Sequence, residues 1–95
     1  ETAVALDSLA SDSLGATQLG EICWGLVAGR SEVRSVAVGD DHILAARADL
    51  WRDHRIITEH GTAAAVAAVT TGQVRPQPDS TLCIVLCGAN TALDL

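Results

Sequence analysis

The run of residues 81–87, near the end of the sequence, most constrains what the chain can fold into. Its seven residues, Thr-Leu-Cys-Ile-Val-Leu-Cys, carry no charge and are rich in β-branched and aliphatic side chains. A strand with one wet face would include polar residues, so this run predicts a strand buried on both faces, as in a parallel sheet covered by helices. Cys87 then lies at the carboxyl end of the strand, where open α/β sheets bind ligands. Gly88 lets the backbone turn sharply beside it.

The composition indicates that the chain is part of a larger core. Of its 95 residues, 48% are apolar before the 8 glycines are counted. Once the glycines are added, the apolar share exceeds that of ordinary soluble domains, although a small chain buries only a modest part of its surface. The net charge of −6 argues against a nucleic-acid partner, and no apolar run reaches the roughly 18 residues of a membrane span. We expect residues 1–95 to form one incomplete piece of a domain.

The three cysteines do not indicate a metal site or a disulfide framework. Their spacings of 60 and 4 residues match no metal-binding knuckle, and an odd number cannot pair completely. Cys23 and Cys83 lie among aliphatic residues, so we expect them to be small buried hydrophobes. The pattern favours a reducing, cytoplasmic compartment.

Capping residues and periodicity predict a first helix over residues 15–28. Residues 11–13, Ser-Asp-Ser, are favourable N-caps, and the apolar residues that follow fall near helical spacing. Gly29 is a suitable C-terminal stop. Gly20 and Gly25, inside the helix, indicate close packing against a neighbour.

Two further helices are predicted, over residues 40–54 and 61–71. The helix over residues 40–54 begins with two acids, which suit the positive end of a helix. Trp51 lies on its apolar face and is expected to be buried. The second is rich in alanine, so neighbouring elements can approach it closely. Glu59 is its expected N-cap or first-turn acid.

The remaining segments complete an α/β pattern. Residues 33–38 alternate valine with arginine, serine and alanine, which predicts a short strand with one exposed face. Residues 1–6 are interpreted as the end of a strand or an extended approach. Because helices alternate with the buried strand at 81–87, the predicted fold class is a layered α/β architecture with a parallel-sheet core and packed helices.

Three segments, taken in order, resemble one known pattern. They are residues 10–15 (Ala-Ser-Asp-Ser-Leu-Gly), 58–64 (Thr-Glu-His-Gly-Thr-Ala-Ala) and 85–91 (Val-Leu-Cys-Gly-Ala-Asn-Thr). Together they resemble the C-terminal third of pyridoxal-phosphate-dependent threonine/serine dehydratases, which have the tryptophan-synthase-β-like fold, and the helix at 40–51 matches in length and place. The resemblance covers essentially the whole chain, and its last segment is the most specific.

The resemblance implies a cofactor site and an activity. In that family the residue matching Cys87 hydrogen-bonds the pyridine nitrogen of pyridoxal 5'-phosphate, and the residues matching Gly88, Asn90 and Glu59 lie beside the cofactor. A neutral thiol leaves that nitrogen largely unprotonated, which suits the elimination of water. The implied activity is that of an L-threonine/L-serine ammonia-lyase, which converts a hydroxy-amino acid to a 2-oxo acid, in an enzyme that is a homo-oligomer. A serine racemase is an alternative within the same chemistry.

The sequence departs from the family in one decisive respect: it contains no lysine. The lysine that binds the cofactor covalently and the glycine-rich phosphate loop belong to an earlier part of the family's chain, as do its metal-binding acids. The family's Glu-Pro is Glu59-His60 here, and its Asn-Asp-Pro ending is replaced at residues 90–93. We therefore expect a fragment whose partner is the remainder of its own chain, and which is inactive alone.

Each candidate residue also has a plainer structural interpretation. Cys87 would then be a buried cysteine, Glu59 a simple N-cap, His60 a solvated loop residue and Asp12 a helix cap rather than a substrate contact. The competing function is a non-enzymatic α/β binding or assembly module that buries its apolar excess against another subunit.

Overall fold

The computed structural model describes residues 7–95 of the chain. In this range the chain forms three helices: α1 (Glu21–Val27), α2 (Asp40–His54) and α3 (His60–Thr70). Turns and irregular segments connect them. None of these helices combines the length and apolar character that a membrane crossing requires. The segment 1–6, interpreted above as a strand end, lies outside the described residues.

The predicted parallel-sheet core of the tryptophan-synthase-β-like type is wrong, because residues 7–95 contain no strand. The runs at 81–87 and 33–38 adopt neither helix nor strand, and Val85 is 72% exposed. A strand exists only where a neighbour pairs with its backbone groups. The apolar pattern shows that these side chains favour burial, but the described residues supply no strand to pair with them.

The core lies between α2 and α3. Ile43 and Ala46 of α2 pack with Ala63 and Ala67 of α3, and Ala10 joins them from the segment before α1. Both α3 alanines are completely buried. The prediction that small side chains allow close approach to this helix is therefore confirmed.

Local signals set the bounds of α2 and α3. The α2 helix has the predicted ends and stops at Arg55, whose left-handed φ of 56° cannot continue it. The α3 helix begins at His60, which is half-buried and helical rather than the expected loop residue. It is followed by Gly72, whose φ of 79° suits only glycine well.

The first predicted helix is mostly absent. Only the seven residues of α1 are helical, and none of them is buried. A β-carbon at Gly20 or Gly25 would meet nothing within 4 Å, so the predicted close packing there is wrong. Cys23 and Cys83 are exposed, contrary to expectation. An amphipathic segment this short is stable only against an apolar partner.

Trp51 is half-buried rather than enclosed. The guanidinium carbon of Arg55 lies 5.5 Å from the centre of its ring, a cation–π distance. The indole therefore packs under a charged side chain at the end of α2.

The chain exposes far more surface than its size requires. Its accessible area is 6902 Å², whereas a compact folded chain of this mass exposes about 5,200 Å². Most of the large apolar side chains that are exposed lie in residues 14–26 and 82–95. Such a surface is typical of polypeptide that packs against another polypeptide.

Candidate functional site

The loop of residues 87–90 is bonded to Glu59, the residue immediately before α3. The Glu59 amide donates a hydrogen bond of 2.9 Å to the Gly88 carbonyl, and the Asn90 amide donates one of 3.1 Å to Glu59 Oε1. Glu59 takes the N-cap position of α3, but its side chain makes no bond to its own helix. Its carboxylate instead fixes the backbone of the loop.

Thr62 connects the same loop to the first turn of α3. It is 5% exposed, and its Oγ1 accepts a 3.1 Å hydrogen bond from the Gly88 amide. The Cys87 Sγ lies 3.4 Å from the same oxygen, and either group can donate. The four site residues named from the sequence, Cys87, Gly88, Asn90 and Glu59, are therefore held together with Thr62. We call these five residues the thiol cluster.

Sequence reasoning did not identify Thr62. Its only signal is its spacing, since it follows Glu59 by three residues and so projects from the same side of α3. The first turn of this alanine-rich helix, His-Gly-Thr after the N-cap Glu59, contains one hydroxyl. That hydroxyl is the group available to a neighbouring loop.

Gly88 makes a close approach to Glu59, and a side chain at this position would displace the flexible Glu59 carboxylate. A β-carbon at this position would lie 2.7 Å from both Cδ and Oε2 of Glu59. Real β-carbons essentially never come so near another heavy atom. The missing side chain of Gly88 therefore makes room for the Glu59 carboxylate.

Ser13 caps α3 from a distant part of the chain. Its Oγ accepts a 2.8 Å hydrogen bond from the Gly61 amide, one of the amides that a helix leaves without an internal partner. A β-carbon at Gly61 would lie 2.8 Å from that oxygen and 2.9 Å from Leu14 Cγ. Ser13 and the exposed Asp12 were expected to cap a helix beginning at 15, and no helix begins there.

A buried arginine holds the other side of the thiol cluster. The Arg47 side chain is 2% exposed. Its Nε donates to the Thr58 carbonyl at 2.9 Å, and its Nη1 donates to Asp94 Oδ1 at 2.7 Å. Its Nη2 donates to Thr91 Oγ1 at 3.0 Å and also to the Ala92 carbonyl.

The partners of Arg47 flank the thiol cluster in sequence. Thr58 immediately precedes Glu59, and Thr91 immediately follows Asn90. One planar guanidinium thus joins Thr58 to Thr91. The residues beside them, Glu59 and Asn90, bond to each other. Arg47 was not identified as a site residue from the sequence, although an arginine at an apolar position of a helix is itself a signal.

Charge around the cluster is balanced locally. The hydrogen bond from Arg47 lowers the pKa of Asp94, which keeps that carboxylate ionised. The Glu59 carboxylate lies at the start of α3, where the helix dipole favours a negative charge. Among residues 7–95, no group of three or more metal-binding side chains comes together.

The cluster offers pyridoxal phosphate a single suitable group, the exposed Cys87 thiol. A thiol is a donor of the kind that a pyridine nitrogen accepts. Arg47 is buried and bonded to protein groups, so it is not available to a phosphate. The chain has no lysine to react with an aldehyde.

What the cluster can do chemically follows from these groups: it presents a thiol and a fixed loop backbone to a neutral hydrogen-bond acceptor. The Glu59 carboxylate already accepts a hydrogen bond from the Asn90 amide.

Comparisons of the chain with known protein families, curated proteins and solved structures found no match.

Proposed function

We propose that the chain supplies the ring-nitrogen side of a pyridoxal-phosphate site in an L-threonine/L-serine ammonia-lyase. The observation that carries the proposal is the series of hydrogen bonds from the Gly88 amide to Thr62 Oγ1 and on to Cys87 Sγ. Either group can donate in the Thr62–Cys87 contact. When the Thr62 hydroxyl donates to the sulfur, the thiol hydrogen of Cys87 is free to point outward.

The cofactor, when bound, supplies the electron-withdrawing ring that permits elimination of water from a hydroxy-amino acid. Cys87 would donate a hydrogen bond to the ring nitrogen, which would favour the unprotonated form of that nitrogen. Thr62 would orient the thiol. Glu59 holds the loop backbone of Gly88 and Asn90, which would lie beside the ring edge.

The lysine and the phosphate-binding loop are proposed to come from the remainder of the enzyme. The 6902 Å² of exposed surface, well above the area typical of this size, supports such a partner. The proposed enzyme is a cytoplasmic homo-oligomer acting on a small amino acid. The 95-residue chain alone should form no 2-oxo acid when pyridoxal phosphate and threonine are added.

An amide NMR titration of the 95-residue chain tests the cofactor role. Adding pyridoxal phosphate should shift the amide signals of Thr62, Cys87, Gly88 and Asn90 more than those elsewhere. Pyridoxal phosphate methylated on its ring nitrogen cannot accept the thiol hydrogen bond, so it should produce much smaller shifts at these residues.

Three cysteine variants test the assignment. Replacing Cys87 by alanine should abolish the localised shifts and Cys87→Ser should retain them, because a hydroxyl offers the same neutral donor. Cys83→Ser changes a second exposed thiol, four residues earlier in the sequence, and should have no effect. Equal responses to the two forms of the cofactor, or shifts located elsewhere, would overturn the proposal.

A second candidate is a non-enzymatic module that assembles with another subunit. The exposed apolar side chains of residues 14–26 and 82–95 favour it, since they suit a protein interface. Material purified from its source separates the two candidates. A yellow preparation that releases pyridoxal phosphate supports the enzyme, and a colourless complex with a second protein supports the module. In the intact enzyme, formation of D-serine rather than pyruvate would indicate a racemase.

A further inference from the structure

We infer that Arg47 is a positioning residue that sets the geometry between Glu59 and the loop of residues 87–90. Its side-chain hydrogen bonds go to Thr58 and to residues 91–94. It acts through Thr58 and Thr91, the chain neighbours of Glu59 and Asn90. The inference concerns the protein's own geometry and holds whether or not the cluster binds pyridoxal phosphate.

The first argument is burial. An arginine that is 2% exposed has lost its hydration, and that loss is offset only by specific hydrogen bonds. All three of its nitrogens bond to protein groups, and two of the four acceptors are backbone carbonyls. Backbone acceptors are fixed by the fold, so the guanidinium has one well-defined position.

The second argument is the shape of the guanidinium. Its nitrogens lie in one plane and point in different directions, so a single rigid group can bond Thr58 on one side and residues 91–94 on the other. A lysine ammonium is a compact point charge on a flexible stem. It would retain the charge at this position but could not hold both segments at a fixed separation.

The third argument is that the loop is fastened at both ends. Thr62 holds it at Gly88, and Arg47 holds the residue after Asn90. The Asn90–Glu59 bond lies between these two attachments. Releasing residues 91–94 leaves that bond to hold a free segment of chain, so it should open much more often.

Amide hydrogen exchange of the 95-residue chain, without cofactor, tests the inference. Arg47→Met keeps the length of the side chain and removes its donors. We expect the Asn90 amide to exchange on the order of tenfold faster, relative to the Thr71 amide, which bonds Ala67 at the end of α3. Arg47→Lys should also fail to restore the slow exchange.

The measured quantity is the ratio of the Asn90 to the Thr71 amide exchange rate. This ratio separates positioning from mere stabilisation, because global destabilisation speeds both amides alike. Arg52→Met is the matched control: Arg52 is on the same helix, is 67% exposed and pairs with Asp49 and Asp53. It should leave the ratio unchanged.

If Arg47→Met does not fold, Thr91→Val gives the decisive measurement. It removes one of the bonds to Arg47 and leaves the others. A selective rise in Asn90 exchange would support the inference. An unchanged ratio in the folded Arg47→Met chain would overturn the inference. If Thr91→Val is measured instead, an unchanged ratio in that variant would overturn it. Slow Asn90 exchange that is fully retained in Arg47→Lys would also overturn it.

Discussion

The guanidinium of Arg47 and the carboxylate of Asp94 lie 2.7 Å apart, yet only the arginine is shielded from water. The Arg47 side chain is 2% exposed and that of Asp94 is 67% exposed. The two partners therefore do not depend equally on each other. Without Asp94, the arginine keeps two backbone carbonyls and a hydroxyl as acceptors. Without Arg47, residues 91–94 lose three bonds to α2.

This pair makes stability depend on pH in the acid range. Arg47 lowers the pKa of Asp94 from its ordinary value of 3.8. A depressed carboxyl pKa contributes stability that is fully present above the unfolded value and is lost as the pH falls through the lower, folded value. The difference in unfolding free energy between the native chain and Asp94→Asn should therefore shrink from about pH 5 to about pH 2.

Denaturant titrations at each pH measure that difference. Asp53→Asn is a useful control, because the hydrogen bond from Arg52 also lowers the pKa of Asp53 but the pair is exposed on both sides. It should give a smaller dependence. A difference for Asp94→Asn that is constant with pH would show that the pair contributes nothing.

Gly88→Ala should destabilise the chain by about 0.5–1.5 kcal/mol, the net contribution of one hydrogen bond. The new β-carbon would lie 2.7 Å from the Glu59 carboxylate, which must move and release the Asn90 amide. Gly25→Ala in α1 meets nothing within 4 Å and should be neutral or slightly stabilising. If the clash is the cause, Gly88→Ala should be less harmful in a Glu59→Ala background; full additivity would argue against it.

Gly61→Ala should also destabilise, against the ordinary preference of helices for alanine by about 1 kcal/mol. The β-carbon would lie 2.8 Å from Ser13 Oγ, the group that caps this same residue. Thermal unfolding followed by circular dichroism gives the sign of the change. A rise in melting temperature would mean that residues 13–14 move aside without loss.

Two buried threonines should respond oppositely to valine. Thr58 Oγ1 has no hydrogen-bond partner within the described residues, so Thr58→Val should leave stability unchanged or raise it by about 1 kcal/mol. Thr62 Oγ1 accepts the Gly88 amide, so Thr62→Val should lower stability by about 1–3 kcal/mol. Chemical denaturation of both variants provides the comparison, and equal effects would contradict the assigned bonds.

The helices that the sequence located well are those whose signals are local. The acids at the start of α2 and the alanines of α3 lie within the elements they define. The apolar pattern at 81–87 forms no strand, and the one at 15–28 forms a helix only over Glu21–Val27. Such patterns express a need for burial that a neighbour must meet. The described residues contain no such neighbour.

The candidate site divides in the same way. Cys87, Gly88, Asn90 and Glu59 were named through the resemblance, and the structure brings them together. The threonine and arginine that hold them were missed because their bonds join residues far apart in sequence. Arg47 occupies a helix face with Ile43 and Leu50, where periodicity favours an apolar side chain. A polar residue in such a place indicates a buried hydrogen-bond network.

The cap that Ser13 places on Gly61 has a consequence for the order in which the chain folds. The α2 and α3 helices are separated only by residues 55–59, so their pairing closes a short loop. The Ser13–Gly61 contact joins residues 48 apart, and Arg47–Asp94 joins residues 47 apart. Long loops close more slowly and at greater entropic cost. We therefore expect the helical pair to form first and the thiol cluster last, so that a nascent chain ending before residue 87 would hold two packed helices and no site.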